Sequence, residues 1–272
     1  MMIWIVIALI VLLMLAVLYV LSTRCRAAGP EIRKLRPFAY AHRGLHNEVR
    51  PENSLAAFRA ARDAGYGIEL DVHLTKDGTL AVIHDHSLLR TTGQEGRVED
   101  LQIEELWKYR LEGTAEHIPT LDEVLDLMDG QTPLIVELKA DKNAAALAEA
   151  VCNRLETYKG LYCIESFDPR CISWLRKNRP QILRGQLTRN FLKDKSSKLP
   201  WILKFCLTRQ LFNFRTRPDF VAYRFADRKR LGNRLVKKLW GATRVAWTIT
   251  NLEDYKTARK EGWIPIFENF EP

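Results

Sequence analysis

Cysteine is scarce in this sequence, and its spacing fits neither a metal site nor a disulfide framework. The chain has five cysteines, at Cys25, Cys152, Cys163, Cys171 and Cys206. Their number is odd and none belongs to a CxxC pair, whereas disulfide scaffolds and structural zinc sites use paired, regularly spaced cysteines. We therefore exclude both classes and expect reduced, mostly buried thiols.

Acidic residues are also in deficit. The 272 residues include 42 Lys and Arg against 33 Asp and Glu, a net charge of +9, and 47% of them are hydrophobic. The composition is that of a globular protein, and the positive balance favours an anionic substrate or surface as partner. No known nucleic-acid-binding motif is present, so we expect no nucleic acid partner.

Charge is absent altogether from Met1 to Leu21. About 20 apolar residues span a bilayer as a helix, so residues 1–22 predict a single-pass membrane anchor. A cleaved signal peptide is the alternative, but such peptides begin with positive charge, which here comes only afterwards, in the basic juxtamembrane tether 23–37. The positive-inside rule then predicts that the rest of the chain lies on the cytoplasmic side.

Strand and helix patterns alternate from residue 38 to residue 272, which predicts a (β/α)8 TIM barrel. An open doubly wound sheet is the alternative, but it would carry a glycine-rich phosphate loop after the first strand, and the sequence has none there. A polar stretch at about 88–117 interrupts the pattern and is interpreted as an insertion that follows a hairpin. The predicted strands are Phe38–Ala41, Ile68–Asp71, Leu134–Leu138, Leu161–Ser166, Leu183–Leu187, Phe220–Tyr223, Val245–Ile249 and Ile264–Phe267.

Acids and a histidine stand out in the predicted hairpin 67–85. Glu69 and Asp71 share one face of its first arm, since side chains alternate along a strand. If the arms pair around Asp77-Gly78, Asp71 comes roughly opposite His84. Other candidate site residues also fall at the C-terminal ends of predicted strands, and in a barrel all such ends meet at one mouth. These are His42, Arg43, Glu137, Lys139, Ser166 and Trp247.

The residue types at this mouth indicate metal-assisted chemistry on a phosphate. Glu69, Asp71 and Glu137 are the oxygen ligands that one divalent cation such as Ca²⁺ or Mg²⁺ prefers. Arg43 and Lys139 would hold a phosphate oxyanion beside it. His42 and His84, from different strands, are then candidates for general acid and base catalysis.

These residues fall in motifs that resemble the glycerophosphodiester phosphodiesterase family, from about Phe38 to the C-terminus. The motifs are His42-Arg43-Gly44, Pro51-Glu52-Asn53-Ser54, Glu69-Leu-Asp71-Val, Thr75-Lys-Asp-Gly78, His84-Asp85, Glu137-Leu-Lys139, Ser166-Phe167 and Trp247-Thr248.

The resemblance implies a TIM barrel, a metal bound by Glu69, Asp71 and Glu137 with Glu52 as an acid at or beside it, and the pair His42 and His84. It further implies that Arg43 and Lys139 bind phosphate, that Trp247 forms an apolar wall for glycerol, and that sn-glycerol 3-phosphate is released. One departure is Phe267-Glu268-Asn269-Phe270, where the family often has Thr-Asp-x-Pro, so contacts from that loop are not carried over.

Several polar residues have simpler structural interpretations. We expect His46, His73, His86 and His117 to be hydrogen-bonded structural residues. Asp85 could orient a histidine or cap a turn, and Ser166 should make a phosphate or structural hydrogen bond.

Two other functions stay open at this level. One is a phospholipase D-like or C-like enzyme acting on lyso- or intact phospholipids, and the other is an inactive barrel serving as a membrane-surface adaptor. Basic and aromatic residues alternate in 192–214, a composition typical of a segment that lies on an anionic lipid surface. We therefore expect a glycerophosphodiester or a lysophospholipid as substrate, whereas the sequence predicts no oligomeric state.

Overall fold

In the part of the chain that the structure describes, eight parallel strands close into a barrel, and a ninth, antiparallel strand extends it on one side. A computed structural model describes residues 1–195 and 197–272 of the chain. The strands are β1 Tyr40–His42, β2 Gly67–Leu74, β3 Leu80–Val82, β4 Leu134–Leu138, β5 Tyr162–Ser166, β6 Arg184–Thr188, β7 Phe220–Arg224, β8 Thr243–Ile249 and β9 Trp263–Phe267.

The order of the strands is β1-β9-β8-β7-β6-β5-β4-β2-β3, and β1 also pairs with β2. That last pairing closes the barrel, so the TIM-barrel prediction is confirmed and the open sheet is excluded. Within the hairpin, Val72 pairs with Val82, which places Asp71 opposite Ile83. The predicted register was therefore one residue off, although His84 still follows directly.

Helices lie between the strands and cover the outside of the barrel. Two of their N-termini follow from local sequence: Ser54 caps one helix, and Thr120 forms a capping box with Glu123 at another. The helices are α1 Met2–Ser22, α2 Pro30–Leu35, α3 Leu55–Asp63, α4 Leu89–Thr92, α5 Ile103–Leu106, α6 Leu121–Met128, α7 Ala144–Leu155, α8 Pro169–Asn178, α9 Trp201–Thr208, α10 Asn213–Thr216, α11 Leu231–Lys238 and α12 Leu252–Lys260.

The stretch between β3 and α6 folds as a small layer of short helices on the hairpin. It contains α4, α5 and two 3₁₀ turns, Val98–Asp100 and Leu111–Gly113. Its apolar side chains, Leu88, Leu106 and Ile118 among them, are buried against Ala81 and Ile83 of the hairpin. The layer therefore stands beside the strand that delivers His84.

The N-terminal region has an exposed helix followed by a segment that packs against the barrel. Helix α1 has a mean hydropathy of 3.2 and no buried residue in its apolar window, so it is long and apolar enough to cross a membrane, a test that a signal sequence also passes. After it, Cys25 is buried, and Ile32 and Leu35 on α2 pack under the barrel with Tyr40. Sequence reasoning did not anticipate these contacts of the basic segment.

Candidate active site

Parallel register brings the predicted site residues to one end of the barrel. His42 is aligned with Glu69 on the next strand, and Asp71 is aligned with Glu137. A cavity of about 640 Å³ opens at these strand ends. Residues that line it include His42, Arg43, Glu69, His84, Glu137, Lys139 and Trp247.

Three carboxylates form the centre of the site. Oxygens of Glu69, Asp71 and Glu137 lie within 4.8 Å of one another, and all three residues are buried. Burial raises the pKa of Glu69 and Glu137, and the mutual proximity of the acids adds to the rise. Burial would raise the pKa of Asp71 as well, but the charges of Lys139, His84 and Arg43 outweigh it and the pKa falls.

This arrangement fits a divalent cation. Oδ1 of Asp71 is buried without a hydrogen bond, although the Lys139 ammonium lies 3.0 Å away. Three converging carboxylates with an unsatisfied oxygen are a costly arrangement unless positive charge joins them. An all-oxygen donor set suits hard cations such as Ca²⁺ and Mg²⁺ and does not choose between them.

Two basic side chains border the acids. Nζ of Lys139 lies 2.8 Å from Glu137 and bridges it to Asp71. Nε of Arg43 lies 3.5 Å from Asp71, and the Arg43 backbone amide donates to Glu69 at 3.2 Å. Both cations therefore lie beside the acids at the rim of the cavity, where a phosphate would carry its charge.

Glu52 lies behind Arg43 rather than among the three carboxylates. Its oxygens accept from Arg43 at 2.9 and 3.0 Å and from Arg90 at 2.7 and 2.9 Å. Both oxygens of Glu52 are therefore hydrogen-bonded to the guanidinium groups of Arg43 and Arg90. These are the contacts of a residue that positions Arg43.

Each candidate catalytic histidine is paired with its own carboxylate. Nδ1 of His42 lies 2.6 Å from Glu268, and Nδ1 of His84 lies 2.5 Å from Asp85. The bond to His42 lowers the pKa of Glu268 to about 2, and burial lowers the pKa of His42. In both pairs the carboxylate orients the ring through Nδ1, and Nε2 of His42 lies 3.9 Å from Glu69.

The wall of the cavity is aromatic on one side. Trp247, near the end of β8, packs edge-to-face against Phe167 with ring centroids 5.5 Å apart. Ser166 is fully buried and donates to the Leu138 carbonyl at 2.7 Å, so its role is the structural one of the two expected.

Sequence reasoning assigned no role in the site to three residues that this geometry includes. Glu165 is aligned with Glu137 and is 1% exposed, and an acid inside the buried strand β5 was its available signal. Asn53 donates to Asp71 at 2.8 Å from a left-handed backbone position (φ 55°). Glu268 lies in the loop that departs from the family pattern, so only the fold shows that it reaches His42.

An apolar groove of about 860 Å³ adjoins the cavity and shares Phe167, Phe191 and Leu199 with it. Leu203 and Leu207 of α9 also line the groove, and Trp201 at the start of this helix is 67% exposed. The predicted basic and aromatic segment thus forms one side of the groove. Its residue Ser196 lies outside the described residues.

Comparisons with known proteins agree with the fold and identify the family. Residues 42–270 match the Glycerophosphoryl diester phosphodiesterase family. YhdW of Bacillus subtilis, which carries the name of the same family, is 32% identical over 233 residues, which cover 82% of this chain and 89% of that protein.

Other relatives are matched over a shorter length or by fold alone. A glycerophosphodiester phosphodiesterase of Caldanaerobacter subterraneus is 44% identical over 114 residues, 39% of this chain and 46% of that protein. A phosphodiesterase of Oleispira antarctica, solved with the product sn-glycerol-3-phosphate, has a TM-score of 0.72 at 22% identity and covers 87% of this chain and 94% of that one. The chain therefore belongs to the glycerophosphoryl diester phosphodiesterase family, which is a family of enzymes.

Proposed function

We propose that the protein is a membrane-anchored, metal-dependent phosphodiesterase that hydrolyses glycerophosphodiesters to sn-glycerol 3-phosphate and an alcohol. The observation that carries the proposal is the pairing of two histidines with two carboxylates around a cluster of three buried acids. Nδ1 of His42 is held by Glu268 and Nδ1 of His84 by Asp85. Both histidines line one cavity with Glu69 and Glu137, whose cluster Asp71 completes.

Glu69, Asp71 and Glu137 would hold the divalent cation. When bound, such an ion acts as a Lewis acid and stabilises the negative charge that develops on a phosphate. Arg43 and Lys139 supply fixed positive charge at the rim, and Trp247 with Phe167 forms the apolar wall against the glycerol carbons.

Proton transfer falls to Nε2 of the two histidines. One histidine accepts the proton of the glycerol 2-hydroxyl as that oxygen bonds to phosphorus, and the other gives a proton to the oxygen of the departing alcohol. Water then attacks the cyclic phosphate and opens it with the two roles reversed, so that both rings regain their starting protonation. Glu268 and Asp85 stabilise the imidazolium that forms in each half-reaction.

The test uses the full chain in detergent. We expect it to release sn-glycerol 3-phosphate from glycerophosphocholine and glycerophosphoethanolamine with Ca²⁺ or Mg²⁺, and to lose this activity in EDTA. His42→Ala and His84→Ala should each lower turnover by about 10²–10⁴-fold while the circular dichroism spectrum is retained. Absence of turnover with every substrate and metal would overturn the proposal.

A second candidate substrate is a lysophospholipid, which the apolar groove beside the mouth favours. A groove lined by Leu199, Leu203 and Phe212 offers an apolar surface to one acyl chain while the phosphodiester occupies the adjoining cavity. We expect Leu203→Ser to lower kcat/KM for lysophosphatidylcholine several-fold and to leave that for glycerophosphocholine unchanged. Leu239→Ser, at a leucine that is 53% exposed outside this groove, is the matched control.

Membrane attachment is the third part of the proposal. Helix α1 would span the bilayer with the catalytic domain on the cytoplasmic side, because the basic residues follow the helix. Lys195, Lys198 and Lys204 would then draw the mouth to anionic lipid. In reconstituted vesicles, anionic lipid should raise the turnover of lysolipid by the native chain, and replacing these three lysines by Gln should remove the increase.

A further inference from the structure

A second group of metal-ligating side chains lies where the insertion joins the hairpin. Nδ1 of His73 lies 2.8 Å from Oε1 of Glu99, and Nδ1 of His86 contacts the same oxygen. The two imidazole rings stand edge-to-face with centroids 4.8 Å apart. One potential ligand atom from each of the three residues lies within 4.8 Å of the other two.

The contacts of His73 define what can lie between it and Glu99. Nε2 of His73 lies 3.2 Å from the His84 carbonyl oxygen, which can only accept, so Nε2 carries a proton. In the neutral ring this is the single N–H, and Nδ1 then presents a lone pair to the Glu99 carboxylate. Either a second proton or a metal ion between Nδ1 and the carboxylate satisfies both acceptors.

The surroundings are those of a ligand site. A histidine that binds a metal almost always donates its second ring N–H to a carbonyl or carboxylate, as His73 does to His84. His73 is fully buried and Glu99 is 15% exposed, whereas His86 is 39% exposed and leaves one side open to water. Two imidazoles, one carboxylate and an open position form a donor set that proteins use for zinc.

We propose that His73, His86 and Glu99 form a second metal site, selective for a divalent transition metal such as Zn²⁺ and separate from the three-acid site. The two sites differ in ligand type, since imidazole nitrogen suits Zn²⁺ and carboxylate oxygens suit Ca²⁺ or Mg²⁺. Zn²⁺ here joins β2, the loop after His84 and the 3₁₀ turn Val98–Asp100 of the insertion. The metal therefore fastens the insertion to the barrel and fixes the backbone that carries His84.

Cobalt substitution tests the site in the full chain in detergent. A Glu137→Gln background silences the three-acid site, and Co²⁺ is added while visible absorption is recorded, with Zn²⁺ as competitor. We expect one Co²⁺ per chain with absorption bands of nitrogen ligation that Zn²⁺ abolishes. His86→Ala should weaken binding by about 100-fold or more, beyond the 10–100-fold cost of losing an outer partner.

His117→Ala is the matched control. His117 also pairs with a carboxylate, that of Glu123 at 2.9 Å, but this pair contains one histidine where the proposed site has two. This control should bind Co²⁺ like the parent chain, and Zn²⁺ should raise the melting temperature of the parent and of His117→Ala but not of His86→Ala. Because His86 lies partly at the surface, its replacement should leave the circular dichroism spectrum intact. Equal Co²⁺ binding by His86→Ala and the parent, or no binding by the parent, would overturn the proposal.

Discussion

The two ends of this barrel are built from the same eight strands and differ in how their buried polar groups are satisfied. At the mouth, Glu69, Asp71, Glu137 and Glu165 are buried together with one lysine among them. At the opposite end, Ile32 and Leu35 of α2 pack with Tyr40 and Phe220.

Buried charge is also present at this opposite end, hereafter the lower end, but each charged group there has a hydrogen-bond or ion-pair partner. Asp219 accepts from the Arg184 backbone amide at 3.0 Å and pairs with Arg26 at 3.3 Å, and the Arg184 guanidinium donates to the Thr216 carbonyl. The difference shows that buried acids indicate a binding site only where some of their oxygens lack a hydrogen bond, as Oδ1 of Asp71 and Oε2 of Glu165 do. The lower end stabilises the fold, whereas the mouth concentrates buried acids at a cost in stability, as the proposed cation and phosphate site requires.

The largest effect that would test this contrast is expected for His84→Ala. General acid–base catalysis contributes about 10²–10⁴-fold, so kcat for glycerophosphocholine should fall by that factor. The melting temperature should change little, because the His84 side chain is 31% exposed. His117→Ala, with the same 31% exposure, serves as control. A large fall in melting temperature for His84→Ala would contradict the division between the two ends.

The reverse outcome is expected at the lower end for Leu35→Ala. Leu35 is 2% exposed, and truncation of a buried leucine costs about 2–5 kcal/mol of the free energy of unfolding. Chemical denaturation should show this loss, while kcat of the folded fraction stays within about twofold. If kcat instead fell together with stability, the lower end would also contribute to catalysis.

A smaller effect, on cation binding, is expected when Asn53, the hydrogen-bond donor to Asp71, is replaced. Asn53→Gly removes the 2.8 Å hydrogen bond to Asp71 and keeps the left-handed backbone that glycine adopts freely. Loss of such an outer partner should weaken divalent-cation binding by about 10–100-fold, measured by calorimetry. Asp129→Gly, at another left-handed position, is the control that should bind the cation normally.

The smallest effect is a dependence of stability on pH at Glu268. Its pKa is about 2 in the folded protein against an ordinary 4.5, because His42 hydrogen-bonds the carboxylate. A depressed pKa stabilises the fold above the unfolded value, and that contribution is lost as pH falls through the folded value. The stability difference between the native chain and Glu268→Gln should therefore be fully present above pH 4.5 and shrink towards pH 2.

Urea unfolding at a series of pH values measures this difference. Glu271→Gln, at the exposed neighbouring acid, should show no such trend. A difference that stays constant from neutral pH down to pH 2 would mean that the pairing with His42 does not depress the pKa of Glu268.

The fold could be read from the sequence because its signals are local. Each signal depends on residues that are neighbours in the chain. The signals are the apolar runs of the strands, the Ser54 and Thr120 helix caps, and the polar residues at the ends of strands. Together they predict the barrel and gather His42, Glu69 and Glu137 at one mouth. The hairpin register was predicted one residue off, because the turn specifies register less sharply than the pairing of Val72 with Val82.

Side-chain partnerships between distant segments were beyond the sequence. His42 and Glu268 are 226 residues apart, and Glu99 meets His73 from an insertion whose path no periodicity describes. The same holds for the packing of Ile32 and Leu35 under the barrel.

The sequence by itself therefore determined the barrel, the family resemblance and the residues that face the mouth. Only the tertiary structure decided which carboxylate hydrogen-bonds to which histidine and that Glu52 is paired with Arg43. It also decided that His73, His86 and Glu99 lie close together. The physical reason is that strand alternation and capping act over a few residues, whereas hydrogen bonds and metal ligation depend on ångström distances that exist only after the chain has closed on itself.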